Sequence, residues 1–538
     1  MNRRGTFRRL IAITAVLVYG AGGLGTAIAQ TPEPQSGGRV VFATNVEPTC
    51  FDPQISAQDA TNMVARSVVD SLVAQKPDGT FEPWLAESYD VSDDVTQFTF
   101  HLRSGVTFSD GTPLNAEAVK FNLDRIADPA TQSQYAISLL GPYESSTVVD
   151  DLTVQVNFTE GFSPFLQALS QPNLGIQSPT ALQANAPCDP PVGSGPFIFK
   201  EVNPQENVIL ERNPNYNSSS PLAKHSGPAY LDELEYRWIP DDAVRTGSLT
   251  SGQIDIADVV PPKDVEDIAG QGFTQVTAVA PGLPYVIFVN SSNAPWDDAN
   301  VREAFRDSLD IDGIVSTLYY GQKGRAWSAL SPTTLGYDAT LENSWQQDID
   351  HANALLDEAG WTWNGDFRQK DGQSLVARWP VPGGGDRDQR NEIAQLIKEQ
   401  AKAVGIDVQI EQVGIGPYLE AIQNNQYDLG DFSFIRSDPD TLRIMFTSTN
   451  VPTPERIAQN FSHVNSPDVD AWAQQAAQTI DPAERTALYT QIQQWVITNV
   501  AIIPIYLETE ILFTQPKVHG LELDPQAYPT FYDVWVES

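Results

Sequence analysis

The hydrophobic period changes once between Leu85 and Ile126. Phe98, Phe100 and Leu102 alternate with Thr99, His101 and Arg103, which predicts a half-buried strand. Asp110-Gly111 marks a tight turn. Asn115 can then cap a helix with Glu117 in its first turn and Val119, Leu123 and Ile126 on one face. Further strands are predicted at Arg39 to Thr44, at Leu152 to Phe158 with its strict alternation, and at Pro284 to Asn290. A helix-like run covers Ala57 to Val73, and a helix is expected from Pro295 to Asp312 with Val301, Ala304, Phe305 and Leu309 at helical spacing. Gln389 to Val404 is amphipathic, with Ile393, Leu396, Ile397, Ala401 and Val404 on one face and Gly405 able to end it. Ile406, Val408 and Ile410 then alternate as a strand. This helix-then-strand order is the α/β pattern. A last helix is expected from about Ala483 to Asn499, followed by a strand-rich return from Ala501 to Phe513.

The length of 538 residues exceeds what one hydrophobic core serves, so two or more lobes are expected. The composition, 41% hydrophobic and 9% aromatic, is that of a globular chain. The formal net charge is -37, and the first 29 residues hold four arginines and no acid, so the remainder is more acidic still. Such a surface repels nucleic acid and anionic membranes.

Those first residues form a leader. Arg3, Arg4, Arg8 and Arg9 precede the apolar run Leu10 to Val18, and Ala27-Ile28-Ala29 gives a small-x-small cleavage pattern. Residues 1–29 therefore read as a signal peptide, of the general secretory or the twin-arginine type, and 30–38 as a flexible lead. No cysteine lies at the cleavage site to carry a lipid, which favours a free periplasmic protein. Cys50 and Cys188 are the two cysteines, and an even pair in an exported chain suggests one disulfide. The alternative, metal ligation, lacks a neighbouring histidine cluster. No metal or cofactor is expected.

Catalytic motifs are missing. The five histidines, at 101, 225, 351, 463 and 519, have no HExxH spacing, and there is no CxxC or GxSxG. Gly193-Ser194-Gly195 lacks the lysine of a phosphate loop. Asp310 and Asp312 do not start a calcium loop, because the first and last ligand positions would be Ser308 and Tyr319. An enzyme is not expected.

Several stretches carry a common resemblance. LAESYDVSDDVTQFTFHLRSGVTFSDGTPLNAEAVKF from Leu85, PVGSGPFIFK from Pro191 and TGSLTSGQIDIAD from Thr246 closely resemble segments of the family-five extracellular solute-binding proteins. So do PWDDANVREAFRDSLDID from Pro295, DHANALLDEAGW from Asp350, Tyr427-Asp428-Leu429 and FIRSDPD from Phe434. Together they cover nearly all of the chain after residue 37. The resemblance implies a two-lobed α/β periplasmic-binding-protein fold with mixed sheets, an extra subdomain in the first lobe and two hinge crossings. It places lobe I at 39–284 with an inserted subdomain at about 72–190, lobe II at 285–505, and a return to lobe I at 506–538. It also implies a monomeric binder of a small solute or peptide that serves an ATP-binding-cassette permease in the inner membrane. Two alternatives stay open, an oligosaccharide-binding member of the same fold and a secreted hydrolase.

A cleft binder needs loops from both lobes, with aromatic groups and a few charged anchors. In the first lobe the candidates are Asn45, Thr49 and Phe51, which could equally be loop structure beside Cys50. In the second, Trp327 falls where relatives have a cleft loop, and a core tryptophan is the alternative. Gly383-Gly384-Gly385 permits close backbone approach. Dipeptide-binding relatives carry a carboxylate-binding arginine in this loop. That position aligns with Gly384, which transfers the role to Arg387. Peptide-binding relatives hold the ligand's amine with an aspartate just upstream of the 434–440 loop. Here Ile435 or Arg436 stands there, and Arg436 favours an anionic group instead. Asp438 completes the candidate set. The departure points away from simple dipeptides and toward modified peptides, opine-like conjugates or other acidic solutes.

Overall fold

The chain leaves one sheet at Val279 and enters another at Gly282, then makes the reverse journey between Tyr506 and Thr509. The computed structural model describes residues 33–382, 387–456 and 458–537, with the backbone alone for Arg387 and Ile415. The leader expected at residues 1–29 lies outside the described residues. Gln35–Ser538 forms one compact unit, to which all of the following refers. Among the described residues no helix is long and apolar enough to cross a membrane.

The larger sheet has seven strands in the order Thr274–Val279, Thr509–Thr514, Ile256–Ala257, Arg39–Thr44, Glu233–Trp238, Asn207–Arg212, Phe197–Asn203. It is mixed: Arg39–Thr44 runs parallel to both its neighbours and the other pairings are antiparallel. Its two faces bury different sets, as the two-residue period of a strand requires. Val40 and Phe42 join Tyr236, Leu512 and Phe531, while Ala43 packs with Ala257, Ile511 and Phe513 on the other side. A four-stranded antiparallel sheet between residues 86 and 158 contains the predicted strand as Gln97–Leu102, and Phe98, Phe100 and Leu102 are its buried positions. The helix Ala116–Ala127 covers it. Asn115 caps that helix by accepting from the Ala118 amide at 3.0 Å. These elements share a core running from Leu72 to Ile176.

The largest core runs from Leu283 to Tyr506. It surrounds the three-stranded sheet Leu429–Ile435, Gly282–Val289, Ile502–Tyr506 and the parallel pair Val376–Pro382 and Asp407–Val413. The amphipathic helix expected from 389 spans Arg390–Lys402. The helix expected over 295–312 is Ala299–Asp307 followed by Ile311–Tyr319. Asp310 breaks the run by turning its carboxylate onto the Gly313 amide at 2.8 Å.

One predicted element is cut short. The run expected to be helical from 57 to 73 is helix only over Asp59–Ala65. Beyond it the backbone turns its carbonyls to another partner: Ser67 accepts from the Phe197 amide at 3.0 Å and Val68 from the Gly195 amide at 2.8 Å. The approach is so close that a Cβ at Gly193 or Gly195 would lie 2.1 or 2.5 Å from the Val68 oxygen. The GSG sequence is thus a packing device.

Asp70 pins the same turn. Its buried carboxylate accepts from Ser194 (3.0 Å), Ser218 (2.6 Å) and Tyr216 (3.3 Å). Burial pushes its pKa up from 3.8 to about 6 against those bonds. The folded state therefore holds this proton more tightly than the unfolded chain. The contribution is fully present below pH 3.8 and is lost as pH rises through 6. Asp70→Asn is expected to remove this slope, worth about 3 kcal/mol across that window. Urea unfolding of both proteins between pH 4 and 7 checks it, and parallel pH profiles would contradict the assignment.

Candidate functional site

Arg436 follows the edge strand Leu429–Ile435 and is fully buried. The backbone there is pressed against the first crossing. The Arg436 amide donates to the Pro281 carbonyl at 3.2 Å, and Gly282, at φ +100°, leaves no room for a Cβ, which would fall 2.2 Å from the Phe434 oxygen. This contact turns the arginine side chain toward the core spanning 72–176. Its Nε donates to Gln167 Oε1 at 3.2 Å and its Nη1 to Asp440 Oδ2 at 3.3 Å. Nη2 has no hydrogen-bond partner among the described residues.

Gln167 is 1% exposed and also donates to Ser437 Oγ at 2.9 Å, and Ser437 in turn donates to Gln75. Gln171 donates to Gln167 Oε1 at 3.0 Å. Tyr135 sets its ring edge-on to Phe434 with centroids 5.3 Å apart. Its hydroxyl lies beside the Gln171 side chain but makes no well-formed hydrogen bond among the described residues. Burial pushes the Tyr135 pKa up to about 12, with Arg436 pulling the other way. The phenol is therefore a neutral donor at physiological pH. Ser163 and Phe162 add contacts across the same boundary, to the Ala477 carbonyl at 2.7 Å and the Arg443 guanidinium at 5.5 Å.

Charge at this boundary is unequal. Arg443 holds Asp440 through two bonds of 2.8 Å, and Arg485 holds Asp438 at 3.0 Å. Burial alone would push the Asp440 carboxyl up, but Arg443, Arg436 and Arg485 outweigh it and keep it below its ordinary value. Three guanidiniums thus face two carboxylates within the cluster. A buried cation in excess calls for an anion.

A second polar group lies at the crossings. Arg390 donates to Glu508 at 2.6 Å, to Ser433 at 2.7 Å and to the Tyr506 hydroxyl at 3.1 Å. Lys323 bonds Asp388 at 2.7 Å. Asp431, raised by burial, accepts from Tyr285 and Trp379, each at 2.8 Å. These cations have protein partners, whereas Arg436 Nη2 lacks one among the described residues, as does Arg325 Nε, whose guanidinium stacks on Trp327. Glu303, Asp307 and His351 could group around a metal ion, but Arg306 already bonds both carboxylates at 2.8 Å.

Of the residues singled out from sequence, Arg436 and Asp438 come together in the charged cluster. The others have their contacts elsewhere. Asn45 is half-buried at the end of Arg39–Thr44. Thr49 is exposed and bonds the Gln58 side chain at 2.8 and 2.9 Å. Phe51 packs edge-on to Phe199 at 5.6 Å. Trp327 carries the Arg325 guanidinium at 3.5 Å. Residues 383–386 and the side chain of Arg387 lie outside the described residues. Cys50 and Cys188 form the disulfide. Sequence reasoning missed Tyr135 and Gln167. A glutamine inside the apolar helix Phe165–Ser170 was a signal; Tyr135 carried none.

Gln167→Ala removes two bonds that tie the 72–176 core to Arg436 and Ser437. A loss of about 2 kcal/mol is expected, roughly thirtyfold toward separation of the two cores. Small-angle scattering checks it by a larger radius of gyration; an unchanged radius would assign the tie to other contacts.

Mixed sheets joined by paired crossings, with a buried charged boundary between cores, define a solute-binding fold. Solved structures share it. The oligopeptide-binding protein AppA from Bacillus subtilis, in complex with a nonapeptide, superposes with a TM-score of 0.80 at 23% identity, over 94% of this chain and 100% of that one. NikA from Brucella suis, in complex with Fe(III)-EDTA, gives 0.80 at 24% identity over 93% and 100%. The glutathione-binding protein GsiB of Shigella flexneri is 27% identical over 504 residues, 92% of this chain and 94% of that protein. The family model "Bacterial extracellular solute-binding proteins, family 5 Middle" matches residues 80–453, and the chain belongs to that family. Its members are the ligand-binding components of ATP-binding-cassette importers.

Proposed function

We propose that this chain captures a peptide or peptide-like acidic solute between two lobes and delivers it to an importer's permease in the inner membrane. It acts as a periplasmic monomer and performs no chemistry on the ligand. Lobe I comprises 39–284 with 506–538, and carries the inserted subdomain at about 72–190; lobe II comprises 285–505. The carrying observation is Arg436, a fully buried guanidinium with an unmet donor, in a cluster with one positive charge in excess. A carboxylate satisfies both at once. Glutathione, which GsiB is named for binding, has this character, being a peptide with two carboxylates. Of the residues read from sequence, Arg436 is the anion anchor and Asp438 supports it through Arg485. Asn45, Thr49, Phe51, Trp327 and Arg387 remain candidates for the rest of the ligand.

The test is a thermal-shift screen with glutathione, tripeptides, opines, oligosaccharides and nickel chelates. A ligand at a hundred times its Kd adds about 2.7 kcal/mol to the folded state. Free-acid peptides and acidic conjugates are expected to raise the melting temperature. A rise with oligosaccharides alone would replace this reading with the sugar-binding one.

A further inference from the structure

Two polar donors stand buried and unpartnered at the boundary between cores, and they come from opposite sides. Arg436 Nη2 belongs to the segment leaving the sheet of the Leu283–Tyr506 core. The Tyr135 hydroxyl belongs to the 72–176 core, and Tyr135 is only 8% exposed. Their neighbourhood is shared: the Tyr135 ring packs on Phe434, two residues before Arg436, and the Arg436 charge acts on the phenol. Each unmet donor is costly in a buried setting. The phenol oxygen can accept as well as donate, but no hydrogen bond joins the two groups here, and a carboxylate can accept from both.

We infer that Tyr135 is a second ligand-binding residue, and that its hydroxyl and Arg436 Nη2 donate to the same carboxylate of the solute from opposite walls. This rests on the proposed acidic ligand and names the group recognised. The specificity follows from the chemistry. A carboxylate offers two oxygens, one to each donor. A carboxamide offers one oxygen and presents an N–H₂ where the second donor points. The solute is thereby selected for a free acid, and binding that acid links the two cores.

Calorimetric titrations of wild type, Tyr135→Phe, Arg436→Met and the double variant test this, using glutathione and trialanine as the free acid and as the C-terminal amide. Tyr135→Phe keeps the ring on Phe434, and an unchanged unliganded melting temperature verifies its fold. The expected result is about a tenfold loss of affinity for the free acid, with little change for the amide. The loss should shrink in the Arg436→Met background, since the two donors act on one group. Equal losses for acid and amide, additive effects of the two substitutions, or no effect of Tyr135→Phe would overturn the shared site. If free-acid binding falls in Arg436→Met but not in Tyr135→Phe, this inference fails while the acidic-solute reading stands. If wild type binds none of the free acids, both fall.

Discussion

Arg436→Met is expected to weaken binding of carboxylate-bearing solutes by about 2–5 kcal/mol, roughly thirtyfold or more in Kd. The buried setting sets the size. A charged donor shielded from water loses little to screening, and no solvent can replace it when it is gone. The fold should survive the change. Methionine fills much of the volume, and Asp440 keeps both bonds to Arg443. Losing one partner of a buried pair is severe when the other is stranded, and here it is not. The measurement is the ligand-induced rise in melting temperature, read beside the unliganded value. An unchanged unliganded temperature with the ligand response gone is the expected outcome. A full ligand response in Arg436→Met would remove the anchor from the site.

Breaking the Cys50–Cys188 bond is expected to have the larger effect on stability itself. The bond closes a loop with a sequence separation of 138 residues. In the chain-entropy model such a loop is worth about 5 kcal/mol, an upper figure because the open chain keeps some structure. A fall in melting temperature of up to about 5 °C is expected for the double alanine variant. The loop has other ties. Asp52 accepts from Arg125 at 2.6 Å and from Gln177 at 3.1 Å, and the Phe51 amide donates to the Cys188 carbonyl at 3.1 Å. Scanning calorimetry separates the two contributions. A fall below about 1 °C would mean that the Asp52 network alone holds the loop.

Much of the architecture was readable because it rests on local periods. The strand Gln97–Leu102 buries the residues that alternation marks, and the helix Ala116–Ala127 begins at the asparagine that can cap it. The region after Ala65 was misread because its fate is decided at a distance. The Ser67 and Val68 carbonyls serve a turn at 193–197, and nothing in the local pattern announces that partner. The candidate site divides the same way. Arg436 stood out as a charged residue where relatives carry an acid. Gln167 reaches it from 269 positions away in sequence, and Tyr135 is one of many surface-compatible tyrosines until its hydroxyl is found without a partner. Polar groups that matter only by meeting another segment leave no period to read.

The two crossings lie side by side. Thr274–Val279 pairs with Thr509–Thr514, and beyond the crossings Gly282–Val289 pairs with Ile502–Tyr506. The Ala280 amide donates to the Glu508 carbonyl at 2.8 Å in the gap between them. The connection is thus a continuous two-stranded ribbon, and in mechanical terms it is a leaf spring. Such a strip bends readily across its face and resists shear within its plane. A change of angle between the two sheets is therefore the motion this connection resists least.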